Sequence, residues 1–253
     1  MILNAFNLEG KVAMITGCNT GLGQGMALGL AQAGCDIIGV NRSSASETAH
    51  KITATGRRFI SITADLADSH CIDSVMEQAL AACPQLDILV NNAGIIRRDD
   101  AINFSERDWD DVMNLNSKTL FFLSQAVARQ FIRQGRGGKI INIASMLSYQ
   151  GGIRVPSYTA SKSAVMGLTR LMANEWAQHN INVNAIAPGY MATNNTEQLR
   201  EDEDRNQQIL QRIPAARWGQ SEDMMGPVVF LASAAADYVN GYTLAVDGGW
   251  LAR

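Results

Sequence analysis

Cysteine is scarce in this 253-residue chain: Cys18, Cys35, Cys71 and Cys83 lie far apart and form no Cys-x-x-Cys pair. Such spacing suggests neither a zinc framework nor a disulfide scaffold. His50, His70 and His179 are scattered without ligand-like spacing, so no metal site is expected. Positive charge is concentrated nowhere, and the formal net charge is only −3. A nucleic-acid or membrane-surface partner would need a basic patch, so neither is expected. A small anionic substrate stays open, because a few local arginines can hold one. No apolar run approaches the roughly 18 residues of a membrane span, and Met1–Gly10 lacks the basic-then-apolar order of a secretory signal. The expectation is a cytoplasmic, reduced, soluble protein.

What is present points to a large core. Hydrophobic residues make up 47% of the chain and charged ones 18%. Seven short runs are β-rich and continuously apolar: Lys11–Thr16, Asp36–Val40, Phe59–Ala64, Asp87–Asn91, Lys139–Ala144, Asn182–Ala187 and Tyr242–Val246. Lack of alternation is the mark of parallel strands covered on both faces. Helical patterns fill the gaps. Ser105-Glu-Arg-Asp108 reads as a capping box opening one long helix through Leu120–Ala128, and Ser221-Glu-Asp opens another. The fold class is α/β: a single Rossmann-like, doubly wound domain over residues 1–253, with a seven-stranded parallel sheet flanked by helices. No repeat or linker interrupts it. The one shift in composition is polar Thr193–Ile213, after the sixth strand. It reads either as a substrate lid over about 193–213 or as a plain solvated helix.

The first strand runs into Thr16-Gly-Cys-Asn-Thr-Gly-Leu-Gly23, then an amphipathic helix. Glycines let backbone approach a pyrophosphate, and the following helix offers free N–H groups and the positive end of its dipole. Gly17, Asn19, Thr20, Gly21, Leu22 and Gly23 are therefore candidate dinucleotide contacts. An ordinary strand–helix turn is the competing reading, since the spacing departs from Gly-x-Gly-x-x-Gly. The second strand ends in Asn41-Arg42, where dinucleotide folds often place an acid on the adenosine ribose. Asn41 can bond a ribose hydroxyl without repelling a 2′-phosphate, and Arg42 can pair with one, which favours NADP(H) or dual use; Arg42 as a solvated loop charge stays open. Asp65, followed by Leu66, closes the third strand where an adenine amine would sit.

Tyr158-Thr-Ala-Ser-Lys162 sets a phenol and an ammonium four residues apart, on one helix face. An alcohol proton near neutral pH needs a base with a matching pKa. A free phenol, near 10, is too weakly ionised, and a neighbouring cation lowers it. Ser145 ends the fifth strand, where its hydroxyl can meet a carbonyl oxygen. Asn116 suits a regular helix interior poorly. A local distortion there could hold a water linking Lys162 to solvent. Each residue alone is commonplace; the four together, in order, are not.

With Asp65, Asn91-Asn-Ala-Gly94 and Pro188-Gly189 added, the chain resembles the short-chain dehydrogenase/reductase family along essentially its whole length. The resemblance implies an NAD(P)-dependent oxidoreductase acting on CH–OH donors. Tyr158 would be the acid/base and Ser145 would orient the substrate oxygen. Lys162 would lower the Tyr158 pKa and bind the nicotinamide ribose, and Asn116 would keep the relay water. Asn91, Ala93 and Gly94 would support the sheet and touch the adenosine side. Pro188, Gly189, Met191 and Thr193 would flank the nicotinamide. Runs outside these motifs, such as Gly151–Tyr158 and Val246–Arg253, narrow the likeness to members acting on a keto-deoxy sugar acid, with NAD preferred and a homotetrameric assembly. Asn41-Arg42 departs from the neutral stretch of those members, so NADP stays possible. The substrate carboxylate needs a cation: Arg154 is the first candidate, Arg97 or Arg98 the second. Met146 and Met191 would line the pocket. Trp250 would pack at a subunit interface or reach a neighbouring active site. The same chemistry on gluconate, a 3-oxoacyl thioester or a steroid is the alternative, and a non-catalytic dinucleotide sensor is a more distant one.

Overall fold

The computed structural model describes residues 1–253. The chain alternates strand and helix: β1 (Val12–Thr16), α1 (Gly21–Gln32), β2 (Asp36–Asn41), α2 (Ser46–Thr53), β3 (Phe59–Thr63), α3 (Ile72–Ala82) and β4 (Ile88–Asn91). There follow α4 (Glu106–Met113), α5 (Leu120–Gln134), β5 (Gly138–Ile143), α6 (Pro156–Trp176) and β6 (Ile181–Pro188). The last part holds α7 (Glu197–Glu201), α8 (Glu203–Arg212), α9 (Met225–Ala232) and β7 (Thr243–Val246). All seven apolar runs are strands, with ends within a residue of those read from sequence.

The sheet is parallel throughout, in the order β3-β2-β1-β4-β5-β6-β7. The order reverses between β1 and β4, which opens a crevice at the carboxyl ends of those strands. The pleat divides the core. Met14, Leu89 and Ile140 face α3, α5 and α6, through Val75, Phe131 and Val165. Ala13, Ile15 and Ile141 face α1 and α9, through Met26, Leu30 and Val228. Both faces are thus apolar, which is why the strands show no alternation. A third, smaller apolar cluster lies apart from these and joins Met146, Ile209, Ile213, Trp218 and Trp250.

Two local readings are corrected. At Ser105 only half a capping box forms: its Oγ accepts from Asp108 N at 3.1 Å, but Asp108 takes the Ser105 hydroxyl at 2.8 Å rather than its backbone N–H. The single long helix that Ser105 was read to open is interrupted. Asn114–Thr119 winds as a π-helix between α4 and α5, with Asn116, Ser117 and Thr119 turned inward. Inward polar side chains, which need partners across the fold, account for the wider turn.

Candidate active site

The crevice at the switch point measures about 330 Å³ and brings the glycine turn, the β2 end and α6 together. Gly17, Asn19, Thr20, Gly21, Leu22, Gly23, Asn41, Arg42, Asp65, Leu66, Ala93, Gly94, Tyr158, Lys162 and Thr193 all line it. At the turn, Gly17 and Gly21 have φ of +65° and +55°, the region glycine tolerates. A Cβ on Gly23 would collide with the Gly17 carbonyl. Thr20 caps α1 without a side-chain hydrogen bond, so the first-turn N–H groups stay free. Free donors at a helix N-terminus, beneath backbone that no side chain shields, fit a dinucleotide pyrophosphate.

The turn is braced from behind. Asn92 Nδ2 donates to the Thr16 and Gly17 carbonyls at 3.0 and 2.8 Å, and Thr16 Oγ1 accepts from Asn92 N and Ala93 N. Sequence reading missed Asn92 as a brace, although it is the second Asn of its own motif. Asn91 is buried and donates to Ser124 and Asn142, so it ties strands rather than lining the crevice. Asn41 lines the crevice and also braces the turn. Its Oδ1 accepts from Cys18 N at 2.7 Å and its amide faces Cys18 Sγ, so it locks the turn. Arg42 and Ser43 line that end too, with Asn19 Nδ2 donating to Ser43 Oγ at 3.1 Å. Asp65 is exposed there, one oxygen accepting from Ala67 N at 3.0 Å.

Pro188, Gly189 and Met191 do not line the crevice. Pro188 pairs with Val246 across β6 and β7, and a Cβ on Gly189 would press on Asp247. Met191 is buried against Gly219. Of the four residues expected to flank the nicotinamide, Thr193, next to Gly21, reaches the opening, and Asn194 and Asn195 after it do so too.

At the reacting end Lys162 Nζ stands 5.6 Å from the centroid of the Tyr158 ring. It donates to the Ile143 carbonyl at 2.6 Å, and burial pushes its pKa down to about 8. Ser145 Oγ accepts from Leu147 N at 3.1 Å, which leaves its hydrogen for another acceptor. Burial raises the Tyr158 phenol above its ordinary value; a Ser145 hydrogen bond and the charge of Arg98 act against it. The lowering expected from Lys162 is not among these effects: burial prevails, and Lys162 Nζ donates to the Ile143 carbonyl rather than to the phenol. Asn116 is 1% exposed, and its amide both accepts from Ile95 N and donates to Ile95 O, each at 2.9 Å.

The three candidate cations separate clearly. None of the three is part of the crevice lining; Arg154 is 58% exposed, with Nε 3.0 Å from Asp100 and Nη2 4.0 Å from Asp99. Arg97 is paired with Asp108 and Asp111. Arg98 has no carboxylate partner; it donates to the Asn195 carbonyl at 3.0 Å, and its charge reaches Tyr158. Met146 is buried in the third cluster rather than open to the pocket, and so is Trp250, within its own chain.

Residues 11–204 match the family model for short chain dehydrogenase. The chain belongs to the short-chain dehydrogenase family. It is 74% identical, over the full length of both chains, to a 2-dehydro-3-deoxy-D-gluconate 5-dehydrogenase of Dickeya dadantii. It is 72% identical over the same span to one of Escherichia coli. A crystal structure from Agrobacterium tumefaciens, named 2-deoxy-D-gluconate 3-dehydrogenase with bound NADP, superposes with a TM-score of 0.94 at 57% identity, covering 99% of this chain and all of that one.

Proposed function

We propose that this short-chain dehydrogenase interconverts 2-dehydro-3-deoxy-D-gluconate and 3-deoxy-D-glycero-2,5-hexodiulosonate with NAD(P), in the breakdown of pectin-derived or other unsaturated uronates. The observation that carries it is one crevice holding Tyr158, Lys162 and a pyrophosphate-fitting glycine turn. The full-length relatives at 72–74% identity support the substrate class.

The nicotinamide, when bound, supplies or accepts the hydride. Tyr158 donates its phenolic proton to the substrate carbonyl oxygen in reduction and takes it back in oxidation. Ser145 holds that oxygen with the hydrogen its Leu147 contact leaves free. Lys162 keeps an ammonium beside the phenol. The Asn116 side chain is committed to Ile95, and a relay water would sit against the widened helical turn that carries it. Arg98 takes the substrate carboxylate, because of the three candidates it alone has no acidic partner and is available to form a charge-assisted bond.

Residues 193–213 form the substrate lid. Arg98 and Arg200 hold its first turn through the carbonyls of Asn195 and Thr193. A homotetramer is supported by apolar side chains left open on α5 and α6, Phe122 at 42% and Leu171 at 45% exposure. Cytoplasmic location agrees with four unpaired thiols. The test is an absorbance assay of the reduced nicotinamide with each cofactor against a panel of sugar acids and neutral ketones. Turnover confined to neutral ketones would reject the sugar-acid reading.

A further inference from the structure

The seven residues after β7 do more than end the chain. Asp247 ties them into a turn: its two oxygens accept from Gly249 N at 2.9 Å and Leu251 N at 2.8 Å. The Gly248 carbonyl accepts from Ala215 N at 3.0 Å. Gly248 and Gly249 have φ of +64° and +89°, and a Cβ on them would crowd Ile213 and Pro214. The turn is therefore seated directly on the segment that leaves α8.

Trp250 is the centre of that seat. It is 4% exposed, its ring 4.8 Å from that of Tyr190 and beneath the Arg212 guanidinium at 4.1 Å. Arg253 Nη1 donates to the Gln211 carbonyl at 3.0 Å, and Trp218 Nε1 donates to Asn206 Oδ1 at 2.7 Å. Ile209 and Ile213 of the α8 region share one apolar cluster with Trp250, Trp218 and Met146, the residue after Ser145. No α8 residue belongs to either main core. The front of the lid is different: α7 has no buried residue, and extended Asp202 separates it from α8.

We propose that Trp250, clamped by Arg212, is a positioning residue for the substrate: the C-terminal turn fixes α8, and through it the lid, over the pocket beside Ser145. This rests on reading 193–213 as a lid. Trp250 Nε1 is buried without an acceptor. The indole therefore acts through its face and bulk, since a cation over an aromatic face needs no N–H. Phenylalanine keeps that face and alanine does not.

The test compares Trp250→Ala, Trp250→Phe and Arg212→Ala. Displacement of the lid raises KM for the sugar acid about tenfold in the alanine variants, inside the ~100-fold that a 1 Å misplacement can cost. Cofactor affinity stays unchanged, and Trp250→Phe restores KM to near the wild-type value. Amide hydrogen exchange speeds up over 203–212 while β4 and β5 stay protected. An unchanged KM in Trp250→Ala, equal loss in Trp250→Phe, exchange rising evenly over the whole chain, or a smaller assembly mass would each overturn the proposal. Exchange reads the clamp without substrate. A wild-type protein inactive on sugar acids would thus reject the proposed reaction and leave the clamp standing.

Discussion

In the cofactor half of the crevice, side chains fasten backbone to backbone inside the main fold: Asn92 grips the Thr16 and Gly17 carbonyls, and Asn41 grips Cys18. In the substrate half, guanidinium groups hold carbonyls of a short exposed segment, Arg98 on Asn195 and Arg200 on Thr193. The first kind of contact fixes one geometry on rigid elements. The second holds a segment that packs only on the small third cluster and not on either main core, so it can part at modest cost. A fixed cradle suits a cofactor common to many enzymes, and a hinged wall suits a substrate that must enter and leave.

Tyr158 stands where the two halves meet, so its removal should have the largest effect. Tyr158→Phe should lower kcat by about 10² to 10⁴, the worth of general acid–base catalysis. Cofactor affinity, measured by fluorescence titration, should survive, since the cradle is untouched. Near-normal turnover would remove Tyr158 from the chemistry.

The same division explains what sequence alone could reveal. Strands, the glycine turn and the Tyr158–Lys162 pair follow from short-range pattern: apolar runs, a strand–turn–helix order, and a four-residue helical spacing. The substrate side depends on contacts between distant segments. Nothing in Ile153-Arg154-Val155 tells that Arg154 will turn to Asp100, with φ +63°, on another loop. Arg98 differs from Arg97 only in lacking an acid beside it after folding. The bracing role of Asn41 was missed for a related reason: its position at the β2 end is local, whereas its partner Cys18 comes from across the turn. Trp250 could not be seated without α8.

Arg98→Met should have the next largest effect and should fall on the substrate half alone. Loss of a charge-assisted carboxylate contact, about 1.5–3 kcal/mol, corresponds to about 10- to 100-fold in KM for the acid substrate. A neutral ketone should be hardly affected. The charge of Arg98 also favours the phenolate of Tyr158, against the burial that disfavours it. Its removal should therefore move the phenol titration to higher pH. Reduction, which needs the phenol, should hold to a more alkaline pH, and oxidation, which needs the phenolate, should rise later. Profiles of kcat/KM in both directions read this, and an unshifted alkaline limb would separate Arg98 from Tyr158.

The smallest effect belongs to the far end of the cradle. No carboxylate closes β2, Asn41 is turned inward, and exposed Arg42 with Ser43 lines the opening. A 2′-phosphate at the β2 end would thus meet the Arg42 cation with no β2 carboxylate to repel it, while Asp65 lies at the β3 end of the same crevice, which makes both NAD(H) and NADP(H) acceptable. Arg42→Ala should raise KM for NADPH by about tenfold, one charge-assisted contact near 1.4 kcal/mol, and leave KM for NADH unchanged. Because Arg42 is exposed, salt should screen the contact, so the wild-type KM for NADPH should rise with ionic strength and the variant should show no such slope. An equal change for both cofactors would mean that Arg42 supports the loop rather than reading the phosphate. The fixed part of the cradle would then extend to the β2 end, and cofactor choice would rest on Ser43 and the backbone beside it.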